Sequence, residues 1–294
     1  MDFSIIIPHK NSSRLLARLI KSVDYNDIQI VVVDDNSNLS EFNKLIELSR
    51  CFPFELYKNE GKFAGGARNT GLKYARGKWI LFADADDYFE PNLDEKLKKY
   101  ESSDADIIYF NVISRYNNGT KAYRDEHIKS IAHKALRTKQ MDYFRFCYTA
   151  PWGKIIRRSL IEEKKISFEE IIAGNDMMFS VLSGLYADKI LYDDVPLYCV
   201  TVTANSITTT LSRERFDARF DATLRVNDFL RKHKKSHYQI SILYFLGKSY
   251  QFGLCYMFLS IKKCFVHRSN LFIGMKKILN VNKVLVDRQN TKIK

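Results

Sequence analysis

Cysteine is scarce. The five residues Cys51, Cys147, Cys199, Cys255 and Cys264 are scattered and form no C-x-x-C pair, which excludes a disulfide framework and a cysteine-based zinc site. A reducing cytoplasm fits that usage. The opening Phe3 to Pro8 lacks the basic start, apolar run and small-residue cleavage site of a secretory signal, so export is not expected. Long uninterrupted apolar runs are missing too. The aromatic-rich stretch from Ile240 to Ile261 carries Lys248 and Gln251 in its middle, and a charge there costs about 3 kcal/mol on insertion scales. There is no internal repeat, no low-complexity linker, no G-x-G-x-x-G fingerprint and no P-loop.

What remains is a globular composition. At 46% hydrophobic and 28% charged residues, the chain has material for a large core. The formal net charge of +13 calls for an acidic partner, of which nucleic acid, anionic lipid and phosphorylated substrates are the usual kinds. No helix-turn-helix, zinc finger or RNA-recognition signature supports a nucleic-acid-binding protein, so nucleic acid is not expected as a partner. Much of the charge falls late, in Arg231 to Lys235, Lys262-Lys263, Arg268, Lys276-Lys277 and Lys292 to Lys294, among aromatic and aliphatic residues.

Over the first hundred or so residues, short β-branched runs alternate with segments of helical period, the pattern of an α/β fold with a mostly parallel, Rossmann-like sheet flanked by helices. Strands are expected at Phe3 to Ile7, Ile28 to Val33, Phe54 to Lys58, Trp79 to Ala83 and Asp106 to Val112, with short ones near Lys189 to Tyr192 and Leu197 to Val202. A helix is expected to follow Gly65-Gly66 and to end in a left-handed Gly77, and another to begin at Pro91. Asn117-Asn118-Gly119 reads as a tight turn, and past Ser212 the chain reads as helical. The expected division is residues 1–211 as a nucleotide-binding catalytic domain and 212–294 as a basic, aromatic helical region.

The strongest local signal is Leu81-Phe82-Ala83-Asp84-Ala85-Asp86-Asp87, an apolar strand running into three carboxylates. Such crowding is costly unless something positive sits there, and a divalent cation such as Mn²⁺ or Mg²⁺, bound by one or two carboxylates plus substrate phosphates, is a physical reason for it. A polar turn with Asp87 capping a helix is the plainer alternative for an isolated run of this kind. A second strand, Val31-Val32-Val33, also ends in carboxylates, Asp34 and Asp35. Two acidic strand ends suggest one shared crevice at the carboxyl edge of a sheet, with Asp35 accepting from a nucleobase imide N–H. The third element is Gly61-Lys62-Phe63-Ala64-Gly65-Gly66-Ala67-Arg68, where glycines before a helix, Lys62 and Arg68 would attract a diphosphate.

Taken together these motifs resemble the family 2 glycosyltransferases of bacterial polysaccharide type, which have the GT-A fold. The family's S-I-I-I-P-x-x-N corresponds to Ser4 to Asn11, its V-V-D-D-x-S to Val32 to Ser37, its G-x-x-x-A-R-N-x-G pattern to Ala64 to Gly71, and its G-x-x-[IL]-x-F-x-D-x-D-D to Gly77 to Asp87. The resemblance implies a donor site of Pro8, Asn11, Asp35, Lys62, Gly66, Arg68, Asn69, Asp84, Ala85 and Asp86, with Asp84 and Asp86 holding the metal and donor diphosphate. It continues more loosely through Trp152-Gly153-Lys154 and Asn175-Asp176, where Asn175 replaces the usual Glu and Asp176 matches the catalytic base; a helix N-cap is the other reading of Asp176. Asn205-Ser206-Ile207-Thr208 matches a common N-S-I-T segment, so Trp152, Lys154, Asn175 and Ser206 are implied at the acceptor or in a lid.

The activity so implied is inverting transfer of a sugar, UDP-linked by preference, from a nucleotide-diphosphate donor to a hydroxyl of a glycan or polyprenyl-diphosphate-linked acceptor, in capsule, O-antigen or lipooligosaccharide synthesis. Arg68 or Lys154 would further stabilise the leaving diphosphate. A catalytically silent assembly subunit is the rival that the Asn175 departure keeps open. The basic C-terminal helices either hold the chain at the cytoplasmic face of the inner membrane or are packing with a solvated basic face.

Overall fold

The computed structural model describes residues 2–23, 27–202 and 212–274. Ser206 and the segment around it lie outside the described residues. The chain divides into two compact units, residues 1–171 with 178–202, and residues 172–177 with 203–294. Asn175 and Asp176 group with the second unit.

The first unit opens with β1 (Phe3–His9), α1 (Ser13–Lys21), β2 (Ile28–Asp34), α2 (Leu39–Cys51), β3 (Glu55–Lys58), α3 (Phe63–Tyr74) and β4 (Trp79–Phe82). There follow β5 (Tyr88–Phe89), α4 (Leu93–Lys98), β6 (Ile107–Tyr116), α5 (Glu126–Thr138), α6 (Asp142–Cys147), β7 (Lys154–Arg157), α7 (Arg158–Glu163), α8 (Asn175–Tyr186), whose first residues belong to the second unit, and β8 (Ile190–Val202). The strands form one sheet in the order β3-β2-β1-β4-β7-β6-β8-β5. Pairing is parallel along β3-β2-β1-β4 and between β6 and β8, and antiparallel where β7 and β5 join.

The physical reason for the parallel block is its composition. Every residue of β2 and of β4 is buried, as is all of β1 except the half-buried Pro8, so these strands are covered on both faces and read as continuous apolar runs. In register, His9 lies beside Asp34 and Asp34 beside Lys58, so the carboxyl ends of β1, β2 and β3 share one edge with that of β4. The strands expected near Lys189 and Leu197 are one, β8, and it runs parallel to β6 with a register shift near Asn111. β5 and β7 were not expected from the sequence.

Several glycine and proline expectations need correction. Gly65 and Gly66 lie inside α3, which begins at Phe63. Gly77 is not a left-handed cap: α3 ends at Tyr74 with Ala75 as its cap, and a Cβ on Gly77 would meet the Phe3 carbonyl carbon and the Ser4 nitrogen at 2.6 Å, so glycine there lets two backbones touch. Pro91 precedes α4, whose cap is a left-handed Asn92. The Asn117-Asn118-Gly119 turn is present, with the Gly119 N–H donating to Tyr116 O and φ at +82°.

The second unit contains α9 (Arg213–Lys232), α10 (Leu243–Ser249) and α11 (Leu254–Val266), with short 3-10 turns between them. Phe216, Phe220, Leu224, Ile242, Phe245 and Cys264 make its core. Asn227 holds the connection after α9, donating to Ile240 O at 2.8 Å and accepting from Ile240 N at 2.7 Å. No helix among the described residues is long and apolar enough to cross a membrane.

Gly71 and Gly247 give a contrast. A Cβ on Gly71 would fall 2.4 Å from Ile6 Cγ2 between α3 and β1, whereas nothing lies within 4 Å of one on Gly247 in α10. Gly71→Ala is expected to cost about 1–3 kcal/mol by overpacking, and Gly247→Ala to be neutral or to stabilise by about 0.5–1 kcal/mol through helix propensity. Denaturant melts of the two variants check this; equal effects would contradict the packing assigned to α3.

Candidate active site

At the carboxyl edge of the parallel block, the end of β2 is fastened first. Ser12 N–H donates to His9 Nε2 at 3.2 Å, which leaves His9 Nδ1 to carry the proton toward Asp34 Oδ1 at 3.1 Å. Asp34 also accepts from the Ser37 backbone and hydroxyl, so it is consumed in shaping the loop. Asn11 and Asn36 take left-handed φ values of 50° and 57°, which asparagine tolerates, and Asn11 locks the turn by donating N–H to Ser37 Oγ and accepting from Asn38 N.

Asp35 is buried at 7% exposure and faces a different partner set. Asn59 Nδ2 donates to Asp35 Oδ1 at 2.7 Å, and Lys10 Nζ stands 3.8 Å from Oδ2. The same Asn59 amide donates to Phe63 O at 3.0 Å, while its oxygen accepts from Gly61 N at 2.9 Å. One side chain thus ties the end of β2 to the first turn of α3. Phe63 enters that helix at φ +57°, an unusual conformation for a bulky residue and one that tends to occur at functional sites. A Cβ on Gly66 would meet Gly61 Cα at 2.9 Å, so Gly66 allows the loop to fold onto the helix.

α3 reaches the end of β4 through Arg68. Its guanidinium is buried over the Phe168 ring, 5.4 Å from the centroid, and Nη2 donates to Asp84 Oδ1 at 2.6 Å. Asn69 fixes that ring's backbone, donating to Phe168 O at 3.0 Å and accepting from Phe168 N at 2.8 Å. The side chain of Lys62 is exposed, and its N–H donates to Glu170 Oε2 at 2.9 Å.

The three carboxylates after β4 meet three different fates. Asp84 takes Arg68, and its backbone N–H donates to Tyr198 Oη at 2.8 Å. That same hydroxyl donates to Asp87 Oδ2 at 2.9 Å, and Thr201 N donates to Asp87 Oδ1 at 2.7 Å. Asp87 is buried, and burial followed by the charges of Asp86 and Asp84 holds its carboxyl well above the usual range. Asp86 is half-buried; burial first and the Asp84 charge second raise its pKa, with Arg124 and Arg18 only partly offsetting them. Arg18 of α1 clamps this turn by donating to the Asp86 carbonyl and, at 2.9 Å, to Thr201 Oγ1. Ala85 is buried between the two acids.

Among the described residues no group of three or more His, Cys, Asp or Glu is disposed to hold a metal ion by itself. Asp84 and Asp86 are nonetheless suited to a cation shared with a substrate. Mg²⁺ and Mn²⁺ accept one or two carboxylates plus phosphate oxygens, and positive charge would offset the burial and the Asp84 charge that raise the Asp86 pKa.

The remaining expected residues lie elsewhere. Trp152 stacks on Tyr198, with centroids 5.6 Å apart and planes at 14°, and so buttresses the hydroxyl that bridges Asp84 and Asp87. Lys154 is buried inside the sheet, where its amine donates to Tyr148 O at 3.0 Å and to Ser180 Oγ at 3.2 Å between the Tyr109 and Tyr148 rings. Asn175 and Asp176 form the first turn of α8. Gly174 before them has φ +80°, and a Cβ there would meet Ala222 Cβ of α9 at 3.2 Å. Asn59, Tyr198, Arg18 and Thr201 were not foreseen. Only Asn59, a polar residue just ahead of the glycine loop, left a local signal.

The model of glycosyl transferase family 2 matches residues 4–164, more than half of the chain. The putative glycosyltransferase EpsH of Bacillus subtilis is 24% identical over 253 residues, covering 79% of this chain and 72% of EpsH. The GalNAc(5)-diNAcBac-PP-undecaprenol beta-1,3-glucosyltransferase of Campylobacter jejuni is 26% identical over 196 residues, covering 64% of this chain and 61% of that enzyme's own length. Among solved structures, residues 1–349 of S. aureus TarS in complex with UDP-GlcNAc align with a TM-score of 0.64 at 19% identity, covering 86% of this chain and 76% of that one, a likeness of fold.

The Asp86 shift has a signed consequence. A raised carboxyl pKa means that the folded state holds this proton more tightly than the unfolded chain, so the associated stability is full at low pH and is lost as pH rises through the folded value. In metal-free buffer Asp86→Asn is therefore expected to unfold at a higher temperature than the parent near neutral pH, with the gap closing in acid. A gap that is constant with pH would contradict the crowding described for this turn.

Proposed function

Because the chain belongs to glycosyl transferase family 2, we propose that its acidic strand ends bind a nucleoside-diphosphate sugar, UDP-linked, and pass the sugar with inversion to a hydroxyl of a lipid-linked glycan acceptor. The observation that carries this reading is a pair of ties to α3: Asn59, just before the helix, joins Asp35 to its first turn at Phe63 O, and Arg68 within it donates to Asp84, so the helix links two acidic strand ends. A nucleotide needs such an edge: a hydrogen-bond acceptor for the base at one end and a site of charge balance for the diphosphate at the other.

In this reading Asp35, held by Asn59, accepts from the imide N–H of uracil. The exposed Lys62 and the first turn of α3 favour the diphosphate by charge and by the helix N-terminus. Asp86, with Asp84 beside it, would hold a Mn²⁺ or Mg²⁺ ion, which supplies positive charge against the diphosphate as it leaves. Arg68 pairs with the Asp84 carboxylate and aims it. Asp176 removes the proton from the attacking acceptor hydroxyl; the match of the Asn175-Asp176 turn to the family's base position supports that role. Lys154, engaged by Tyr148 and Ser180, acts by bracing the sheet.

The names of the relatives support a lipid-linked acceptor as part of this reading. The Campylobacter enzyme's name specifies a polyprenyl-diphosphate-linked glycan, and EpsH and TarS are bacterial glycosyltransferases. In this reading a lipid-linked acceptor in surface polysaccharide synthesis would be met at the cytoplasmic face of the inner membrane. The net charge of +13 suits an anionic surface there.

A panel of nucleotide sugars with Mn²⁺, scored by release of nucleoside diphosphate and by NMR of the product anomer, tests the proposal. UDP-sugars are expected to give turnover that chelation abolishes and Mn²⁺ restores, with an inverted anomer. Asp86→Ala and Asp176→Asn are each expected to lower turnover by about 10²–10⁴ while the protein stays folded. Metal-independent turnover, a retained anomer or near-normal rates in either variant would reject the corresponding assignment.

A further inference from the structure

From Phe229 to Val286 the sequence contains no aspartate or glutamate. The same region gathers the exposed apolar surface. Of the twelve large hydrophobic residues exposed among the described residues, eight fall between Tyr244 and Phe272.

The concentration is sharpest on α11. Leu254, Phe258, Leu259, Phe265 and Val266 are each between 63% and 72% exposed. At 100° per residue these five fall within an arc of about 140° on one side of the helix, and the exposed Lys262 sits in the middle of the arc. The opposite side is the one that is fastened. Ser260 and Cys264 are buried there, Tyr256 Oη donates to Asp217, Lys263 pairs with Asp221, and His267 Nδ1 lies 2.6 Å from Asp228 Oδ2. A helix at the surface of a soluble domain ordinarily turns its apolar stripe inward and its charges outward. Here the polar pins face α9 and the apolar stripe faces out. Because Asp217, Asp221 and Asp228 are all used on the inner side, the outer face carries the cation Lys262, and the exposed Arg268 follows just past the end of the helix, with no acid beside either in the sequence.

We propose that this outer face of α11 docks on an anionic lipid monolayer, the five apolar side chains entering the headgroup and acyl boundary while Lys262 and Arg268 lie among the phosphates. Charge decides the occupant. A second copy of the chain would bring Lys262 and Arg268 against their own equivalents with no carboxylate to neutralise them, whereas an anionic bilayer offers apolar depth and negative charge together. The surface stands on the second unit's own packing and does not depend on which sugar or base the strand ends bind.

The test is co-flotation of the full chain with phosphatidylcholine vesicles, with and without phosphatidylglycerol. The parent is expected to float with the anionic vesicles only and to be released by salt, and the double variant Phe258→Ser with Phe265→Ser to lose at least about tenfold in bound fraction with its melting temperature unchanged. In the single variant Phe258→Trp, emission is expected to shift to the blue on addition of anionic vesicles and to be quenched by brominated acyl chains. Equal flotation of parent and double variant overturns the proposal. So does a Phe258→Trp emission already blue without lipid, which means that the chain itself covers the face, and so does a dimer that the double variant abolishes, which assigns the face to a second copy. The UDP-induced rise in melting temperature, followed in the same double variant, is expected to match the parent, so failure here is told apart from failure of the sugar-transfer reading.

Discussion

Three carboxylates at the end of one apolar strand are the constraint around which the rest of the first unit is arranged. Burying like charges side by side is costly, and a protein meets that cost by pairing, by protonation or by a bound cation. Asp84 is paired with Arg68, and Asp87 is given a hydroxyl and an amide to accept from and is pushed toward its neutral form. Asp86 receives neither solution in full: its carboxyl is raised by burial and by Asp84. It is this half-satisfied acid beside a well-braced pair that the proposed cation would neutralise.

The bracing explains residues that would otherwise look like ordinary packing. Tyr198, on the long strand β8, reaches under the β4 turn to bridge Asp84 and Asp87, and Trp152 stacks on it to hold its ring. Arg18 clamps the same turn from α1 through the Asp86 carbonyl. On the other side Asn59 spends one amide on Asp35 and on the start of α3. The acids are therefore set by neighbours from α1, α3 and β8 and by Asn59.

Much of this arrangement was legible in the sequence, because it is written in local patterns. The continuous apolar runs of β1, β2 and β4 identify buried parallel strands, and an acid following each of two such runs places carboxylates at one sheet edge. The parts that escaped reading have no local signature. β5 is two residues long and β7 four, and each is a strand only because β8, or β4 and β6, supply its hydrogen bonds. Tyr198 is separated from Asp84 by 114 positions, so nothing near either residue announces their contact. Gly66 and Gly77 were misread for a related reason. Their role is close approach between backbones and not a turn, and close approach depends on what the other segment is.

Within the second unit a small aromatic core and a set of inward-facing carboxylates hold three helices together, leaving an apolar and cationic outer face on α11. In the proposed function the ends of β2 and β4 form one nucleotide site with a shared cation. A crystal structure of the chain with UDP and Mn²⁺, recorded at the manganese absorption edge, tests it most directly. The account predicts an anomalous peak within about 2.1–2.2 Å of an Asp86 carboxylate oxygen, diphosphate density against it, and the uracil ring within hydrogen-bond reach of Asp35. Uracil density remote from Asp35, or a manganese peak away from the turn after β4, would contradict it.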